Sequence, residues 1–187
     1  MWYLTPEDNK TKITSLVYEA LYCETGDILP KAYGGFGTNL IIYGVDFGIT
    51  FNYQLGGKIY DNGYRLLMHG GIYNIGTNWH KDILNAWTAE NPNTNVPAFD
   101  ENVNVDSDRF LISSNYLSLQ NITLGYTLPE KWLEKMHVKK VRLYAVADNV
   151  VLFSKRQGLD PRQDLTMYTG CNYAIIRSIS GGINIIF

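Results

Sequence analysis

Several features that point to common classes of protein are missing from this sequence of 187 residues. It has no uninterrupted apolar run of about 18 residues, which excludes a transmembrane helix. The stretch from Met1 to Asp8 has neither a basic region nor an apolar core, so it predicts no signal peptide. The two absences indicate a cytosolic protein if Met1 is the true start. They indicate nothing if Met1 is internal to a longer chain.

Cysteine is scarce, and charge is low. Only Cys23 and Cys171 occur, and neither belongs to a CxxC motif or a Cys/His cluster. Two unrelated thiols are the simplest interpretation, because a disulfide cannot be inferred from sequence alone. The net charge of -2 and the pI near 5.9 provide no broad basic surface, so no nucleic-acid partner is expected. A composition that is 45% hydrophobic and 18% charged excludes a disordered chain.

Motifs of catalysis and metal binding are also absent. The sequence has no phosphate-binding loop, zinc-protease motif, serine-nucleophile elbow or calcium loop. His69, His80 and His137 are scattered without partners at ligand spacing, and Asp106 and Asp108 belong to an acidic loop for which solvation is the simplest interpretation. We therefore predict no enzyme activity, no cofactor and no metal site.

Alternation is the strongest feature that is present. From Asp46 to Leu55, apolar and aromatic residues occupy every odd position, and small or polar residues occupy every even one. A period of two predicts a strand with two unlike faces, and about 10 residues are enough to cross a bilayer as a tilted strand. Similar patterns predict four more strands at Phe36–Tyr43, Phe110–Leu128, Val141–Phe153 and Tyr173–Phe187. The second of these has a phase break, which a bulge near Gln120 would correct.

The connections between these strands alternate in length. They are the short link Gly44–Val45, the long segment Gly56–Arg109 with a predicted helix at Trp79–Ala89, the short segment Pro129–Lys139 with a predicted helical turn at Glu130–Met136, and the long segment Ser154–Asn172. Bacterial outer-membrane barrels have short periplasmic turns and long extracellular loops. A periplasmic C-terminus fits this order. Five strands cannot close a barrel, because the smallest have about eight, so the pattern predicts part of a larger one.

Several stretches, taken in order, resemble the C-terminal end of SusC/RagA-family TonB-dependent outer-membrane transporters. They are Leu29–Thr38 (LPKAYGGFGT), Tyr43–Asp46 (YGVD), Tyr53–Asp61 (YQLGGKIYD), Trp79–Asp82 (WHKD), Trp87–Pro92 (WTAENP), Asn115–Pro129 (NYLSLQNITLGYTLP), Val141–Asn149 (VRLYAVADN), Gly158–Pro161 (GLDP) and Ile183–Phe187 (INIIF). The resemblance covers roughly residues 28 to 187. Its several long motifs in order make it specific.

The resemblance implies an all-β fold of antiparallel strands that form the C-terminal part of a transmembrane β-barrel with long extracellular loops. Residues 1–34 would be an extracellular loop region, and residues 35–187 the last five strands or so, without the plug domain and the earlier strands. The whole protein would be integral to the outer membrane of a Bacteroidota cell, with a periplasmic C-terminus. It would import oligosaccharides or other nutrients with a SusD-like surface lipoprotein and contact the TonB complex through the missing plug. This segment would close the barrel, help to insert it, and transport nothing alone.

Three groups of candidate site residues follow. Ligand contact is expected from aromatic residues of the long outer connection, namely Tyr60, Tyr64, Tyr73, Trp79 and Trp87. The same rings also suit a membrane-interface girdle or loop packing. The candidate lumen-lining residues are Asn52, Gln54, Arg142 and Asp148, which would line a substrate path or seat the plug. The resemblance also implies an insertion signal, Ile183, Ile185 and Phe187, that is read by the barrel-assembly machinery in the lipid bilayer.

Two other classes of protein remain as alternatives. A soluble β-sandwich carbohydrate-binding module would also have alternating strands and many Tyr and Trp residues. Its solvent-facing side should carry Lys and Glu, whereas the polar positions here hold mostly Gly, Ser, Thr and Asn. A small β-rich hydrolase would need a defined pair of carboxylates, and none emerges. The pattern therefore favours the transporter segment.

Overall fold

The computed structural model describes residues 2–3, 13–14, 17–20, 22, 24–71, 76–99, 105–134, 138–155, 158–162, 173 and 175–187. These residues form two units, Met1–Asp27 with Tyr60–Leu111, and Ile28–Ile59 with Ile112–Phe187. Within the described ranges, no helix has both the length and the apolar character needed to span a membrane. Cys23, Cys171, Tyr73 and His137 lie outside the described residues.

Strands dominate the secondary structure. They are β1 Trp2–Tyr3, β2 Ile13–Thr14, β3 Ala32–Ile42, β4 Val45–Leu55, β5 Lys58–Tyr60, β6 Leu111–Ser113, β7 Tyr116–Thr127, β8 Lys140–Ser154 and β9 Ser178–Ile186. The helices are α1 Asn62–Leu67, α2 Glu130–Leu133, and 3-10 turns at Val17–Glu19, Lys81–Asn85 and Asp108–Phe110. The five long strands form one sheet in the order β3-β4-β7-β8-β9, and all neighbours are antiparallel. This confirms the predicted all-β, antiparallel fold.

The link between β3 and β4 is tighter than predicted. The two turn residues are Tyr43 and Gly44, with φ of 49° and 82°, and Val45 is already the first residue of β4. Two positive φ angles match the twist of a two-residue hairpin. Ala32 is the first residue of β3, so this strand begins inside the range 1–34 that was assigned to a loop.

The predicted bulge near Gln120 is confirmed. In the β4–β7 ladder Thr50 pairs with Asn121 and Phe51 pairs with Leu119, so Gln120 has no opposite partner. A bulge inserts one residue and therefore reverses the alternation beyond it. As a result, side chains at odd positions before Gln120 share a face with those at even positions after it.

The register gives the sheet two faces of opposite character. Directly paired residues of antiparallel strands project to the same side. We call one side the apolar face; its larger side chains are Phe36, Leu40, Ile42, Val45, Phe47, Ile49, Phe51, Tyr53, Leu55, Leu117, Leu119, Ile122, Leu124, Tyr126, Val141, Leu143, Val151, Phe153, Ile179, Ile183 and Ile185. The other side is the polar face, with Asn39, Asp46, Thr50, Asn52, Gln54, Ser118, Asn121, Thr123, Thr127, Arg142, Tyr144, Asp148, Ser178, Ser180 and Asn184 among its members.

The apolar face is largely uncovered. Leu124, on the central strand, is 52% exposed, and Ile183 is 64% exposed. The rings of Phe36 and Phe51 stack on this face with their centroids 5.1 Å apart. An apolar face of this extent, spread over five strands, is unusual for a protein surrounded by water.

The two ends of the sheet carry different connections. We call one the short-turn end; it carries the Tyr43–Gly44 turn, the β7–β8 connection with α2, and the end of β9. The other is the long-connection end, where β4 leads towards β7 and β8 leads towards β9. The predicted alternation of short and long connections is therefore present in the structure.

The other unit has its own small core. Tyr60, Met68, Val96 and Phe110 are buried together, with Tyr64 packed against them. Asp61 caps α1, because its carboxylate accepts a hydrogen bond of 2.9 Å from the N–H of Tyr64. This part of the chain is therefore folded around its own apolar contacts.

The predicted helix at Trp79–Ala89 is wrong. Only Lys81–Asn85 is helical, as a 3-10 turn that begins after His80. Ala86 already has an extended backbone and forms a parallel bridge with Val96. The N–H of Trp87 donates to the carbonyl of Val96 at 3.0 Å, so a contact nine residues away, and not the local helical tendency, decides the conformation. The second predicted helical turn, Glu130–Met136, is present as α2 over Glu130–Leu133, and residues 135 and 136 lie outside the described part of the chain.

Candidate functional site

An ion pair crosses the polar face near the short-turn end. The Nε of Arg142 donates to Oδ1 of Asp46 at 2.9 Å, and its Nη2 donates to Oδ2. The pair joins β8 to β4, which are not neighbours, because β7 lies between them. Gly125 of β7 is directly opposite Asp46, and a Cβ at this glycine would collide with the carboxylate. The missing side chain of Gly125 therefore makes room for a two-point ion pair.

The same arrangement recurs in other cross-strand pairs of this face. Asn52 lies over Gly35, and Tyr144 lies over Gly182, where an added Cβ would be 2.5 Å from the tyrosine oxygen. The guanidinium of Arg142 is in turn 5.3 Å from the centre of the Tyr144 ring. Because these side chains lie flat over glycines, they stay close to the backbone, and the polar face is a shallow surface rather than a packed core.

The four residues predicted to line a lumen all lie on this polar face. The Nδ2 of Asn121 donates to Oδ1 of Asp148 at 2.7 Å, and the Nε2 of Gln54 donates to Oγ of Ser114 at 3.1 Å. Gln54 is buried, whereas Asn52, Arg142 and Asp148 are partly exposed. The structure thus brings all four to one surface; their role in a lumen stays a prediction.

A second ion pair was not predicted from the sequence. In the β8–β9 connection, the Nε and Nη2 of Arg162 donate to the two oxygens of Asp160 at 2.8 and 2.6 Å. The Nη1 of Arg162 donates to Oγ of Ser118 at 2.8 Å. Burial alone would raise the pKa of the Asp160 carboxyl, but hydrogen bonds from the Arg162 side chain and backbone outweigh it and lower the pKa. The acid-proline-base order of Asp160, Pro161 and Arg162 was the available signal, and it also predicts an ordinary turn.

Two cavities adjoin these pairs. One, of about 580 Å³, lies beside the Asp46–Arg142 pair and is also lined by Lys140 and Thr127. The other, of about 310 Å³, lies between β8 and the Asp160–Arg162 pair. In the described residues, no three His, Cys, Asp or Glu side chains come together in a group that could hold a metal ion.

The predicted ligand-contacting aromatics divide into two groups. Tyr60 and Tyr64 pack against Phe110 in the core, and their hydroxyls donate to Asp106 at 2.9 Å and to Asp82 at 3.0 Å. Burial and the bond to Asp106 raise the pKa of Tyr60 to about 12. A ring used in this way has little surface left for a ligand.

Trp79 and Trp87 remain half-exposed, at 48% and 49%. The ring of Trp79 stacks on His69 at a centroid distance of 5.3 Å, and its Nε1 donates to the His69 carbonyl at 2.9 Å. Phe99 approaches the same ring edge to face. Trp79 is therefore a half-exposed aromatic surface held in place by His69 and Phe99.

The three residues of the proposed insertion signal lie at the end of the sheet. Ile183 and Ile185 are exposed on the apolar face of β9, and Phe187 follows that strand. β9 has a neighbour on one side only within the described sheet. This position is compatible with an insertion signal, which stays a prediction.

Comparison with known proteins gives relatives of a single kind. The chain is 31% identical over 173 residues to TonB-dependent receptor P3 of Formosa agariphila, which covers 87% of this chain and 17% of that receptor. It is 24% identical over 176 residues to receptor P26 of the same organism, again covering 87% of this chain and 17% of the receptor. The chain thus spans about a sixth of the length of the curated relatives it matches. No family model matches it.

Solved structures agree in fold. The RagAB peptide importer in the closed-closed state matches with a TM-score of 0.75 and 25% identity, over 87% of this chain and 18% of that chain. The open-open state of RagAB gives a TM-score of 0.84 over 100% of this chain and 20% of that chain, at 24% identity. The sheet therefore has the fold of part of a transporter barrel.

Proposed function

This chain is a homologue of the TonB-dependent receptors, and from that premise we propose that it forms part of an outer-membrane transporter that imports nutrients. The observation that carries the proposal is the uncovered apolar face. Its larger side chains come from all five strands, and none of them is charged. Contact with lipid gives such a face an apolar environment, while the polar face is left to water.

The edges of the sheet support a larger barrel. β3 and β9 each have one neighbour in the described sheet. Unpaired N–H and C=O groups cost several kcal/mol each in hydrocarbon, so a sheet that faces lipid has to close on itself. We infer that further strands pair with both edges and that β9 takes part in closing and inserting the barrel.

The polar face then lines the barrel interior. The residues that would face the interior include Asn52, Gln54, Arg142 and Asp148. Their surface is shallow and hydrogen-bonded, which suits the seating of a plug domain. The plug would contact the TonB complex. With the short-turn end in the periplasm, the C-terminus is periplasmic and the long connections are extracellular, as in other barrels of this class.

The proposed partner and substrate are suggested by the relatives. A SusD-like surface lipoprotein would cover the extracellular side, as the two-component name RagAB suggests for that importer. Trp79 and Trp87, which are half-exposed in the long connection, are the proposed ligand contacts. RagAB imports peptides, whereas flat indole rings also suit sugars, so both ligand classes enter the test.

A matched pair of arginine substitutions tests whether the uncovered apolar face contacts lipid. Leu124→Arg and Thr123→Arg are neighbours on β7 that project to opposite faces. In the full-length protein, we expect Leu124→Arg to lower the free energy of unfolding from lipid by about 2–4 kcal/mol, and Thr123→Arg to have a small effect. Urea unfolding in lipid vesicles measures both. A larger loss at Thr123, or none at Leu124, would show that the apolar face does not contact lipid.

Uptake tests the activity itself. Cells that lack the full-length gene should lose TonB-dependent growth on either a peptide mixture or an oligosaccharide mixture, and the complementing gene should restore it. Fractionation should place the protein in the outer membrane. Unimpaired growth on both mixtures would contradict the import proposal.

A further inference from the structure

The β8–β9 connection folds back over the polar face instead of pointing away from the sheet. Ser118 projects from β7 to the polar face, opposite Asn52, and is fully buried beneath Arg162. Ser154, on the same face of β8, donates to the carbonyl of Leu159 at 3.4 Å. Since a strand rises about 3.3 Å per residue, the covered part of β7 reaches roughly 7 Å inward from Tyr116 at the long-connection end.

Asp160 contacts both the start of the β8–β9 connection and its return towards β9. Its carboxylate accepts two bonds from the Arg162 side chain and one of 3.0 Å from the Arg162 backbone N–H. The backbone N–H of Ile175, on the return towards β9, lies close enough to the same carboxylate to help lower its pKa. The side chains of Asp160 and Arg162 are only 4% and 13% exposed. One carboxylate therefore ties the start and the return of the connection to the sheet.

The chemistry of the pair makes the position specific. Arg162 uses its planar fork on Asp160 and its third nitrogen on Ser118, so a lysine could not make the same three bonds. A buried charge that loses its partner is strongly unfavourable, and the segment would then move to bring Arg162 into water. The segment is thus either pinned on the polar face or released from it.

We propose that Gly158–Arg162, pinned to Ser118 by the Asp160–Arg162 pair, is a fixed constriction that limits the size of solutes crossing the polar face from the long-connection end. This rests on the proposed function, in which the polar face lines the barrel interior. The constriction determines size, whereas ligand chemistry is left to other contacts. Asp160 and Arg162 are accordingly positioning residues.

Graded cysteine labelling measures the constriction without knowledge of the substrate. The full-length protein carries Cys23→Ser and Cys171→Ser, so that the two native thiols do not react. A Ser180→Cys probe is then placed on the polar face of β9, at the third pair of the β8–β9 ladder counted from the start of β9. Intact cells are treated with N-ethylmaleimide or with a large poly(ethylene glycol) maleimide. The ratio of large-reagent to small-reagent labelling reports the free opening.

We expect Asp160→Asn to raise that ratio by at least about tenfold. Without the Asp160 charge, the segment can leave the polar face without breaking a buried ion pair. Arg162→Lys and Ser118→Ala should give smaller increases. Asp27→Asn, which removes an exposed carboxylate, is the matched control and should leave the ratio unchanged. If Asp160→Asn does not reach the outer membrane, the two milder variants decide.

Hydrogen exchange on the same variants separates the outcomes. Faster exchange at Leu159–Arg162 with an unchanged labelling ratio would overturn the constriction and leave the import proposal standing. Unchanged exchange in Asp160→Asn would show that the pair is not the pin. Failure of N-ethylmaleimide to reach Ser180→Cys in any variant would also overturn the constriction, because the polar face beyond it would then be covered, as by a seated plug, and no solute would cross it.

Discussion

Substituting Gly125 by alanine tests how the polar face is built. A residue with a side chain is normally favoured over glycine within a strand, by roughly 0.5–1 kcal/mol. Here the new Cβ would occupy the space that the Asp46 carboxylate uses to reach Arg142. The two effects have opposite signs, and their sizes decide the outcome.

The ion pair is the larger effect. The Arg142 and Asp46 side chains are 29% and 25% exposed, between a surface pair and a buried one. Arg142 uses both oxygens of the Asp46 carboxylate, and an added Cβ at Gly125 would displace them, so Gly125→Ala removes the pair altogether. It should therefore lower the stability of the full-length protein, despite the gain of about 0.5–1 kcal/mol that alanine normally brings to a strand.

A second background reverses the sign. With Asp46→Ala already present, the space over Gly125 is free, and Gly125→Ala should then stabilise by about 0.5–1 kcal/mol. Urea titrations of the four proteins in lipid vesicles complete the double-mutant cycle, in which the coupling energy should exceed the alanine gain of about 0.5–1 kcal/mol. An equal effect of Gly125→Ala in both backgrounds would refute the argument, because the cost would then not depend on the carboxylate.

Two pH-dependent predictions use groups outside the long strands. The pKa of Tyr60 is raised to about 12, so its stabilising contribution is complete below the ordinary value of 10.0 and is lost as the pH rises towards 12. The tyrosinate absorbance of the protein minus that of Tyr60→Phe should show a titration near pH 12, and a titration near 10 would contradict it. The pKa of Asp160 is lowered, so its contribution is complete above 3.8 and is lost as the pH falls further. Hydrogen-exchange protection of the Arg162 amide, corrected for the intrinsic rate, should fall in that acidic window and should show no such transition in Asp160→Asn.

The long strands could be predicted because their signal is local. Side chains alternate across any strand, so Phe47, Ile49 and Phe51 share a face whatever their partners are. The bulge at Gln120 was predictable for the same reason, since it appears in the sequence as a change of phase. Assigning Asn52, Gln54, Arg142 and Asp148 to one surface needed only the same alternation and a common orientation of the strands.

The contacts between these elements could not be predicted in the same way. Asp46 and Arg142 are 96 residues apart, and their pairing depends on the register of three strands. α1, β5 and β6 are short, and tertiary contacts rather than local pattern stabilise them. Whether the Tyr60 ring packs in a core or faces a ligand also depends on such contacts. The two kinds of tyrosine look identical in sequence.

The two faces of the sheet place unequal demands on the sequence. Any apolar side chain of suitable size satisfies a surface in contact with lipid, so Leu, Ile, Val and Phe can replace one another there at low cost. On the polar face, Gly125 can be replaced only by losing the space over it, and Arg142 only by losing a two-point bond. The least replaceable part of this segment is therefore the surface that we propose faces the barrel interior.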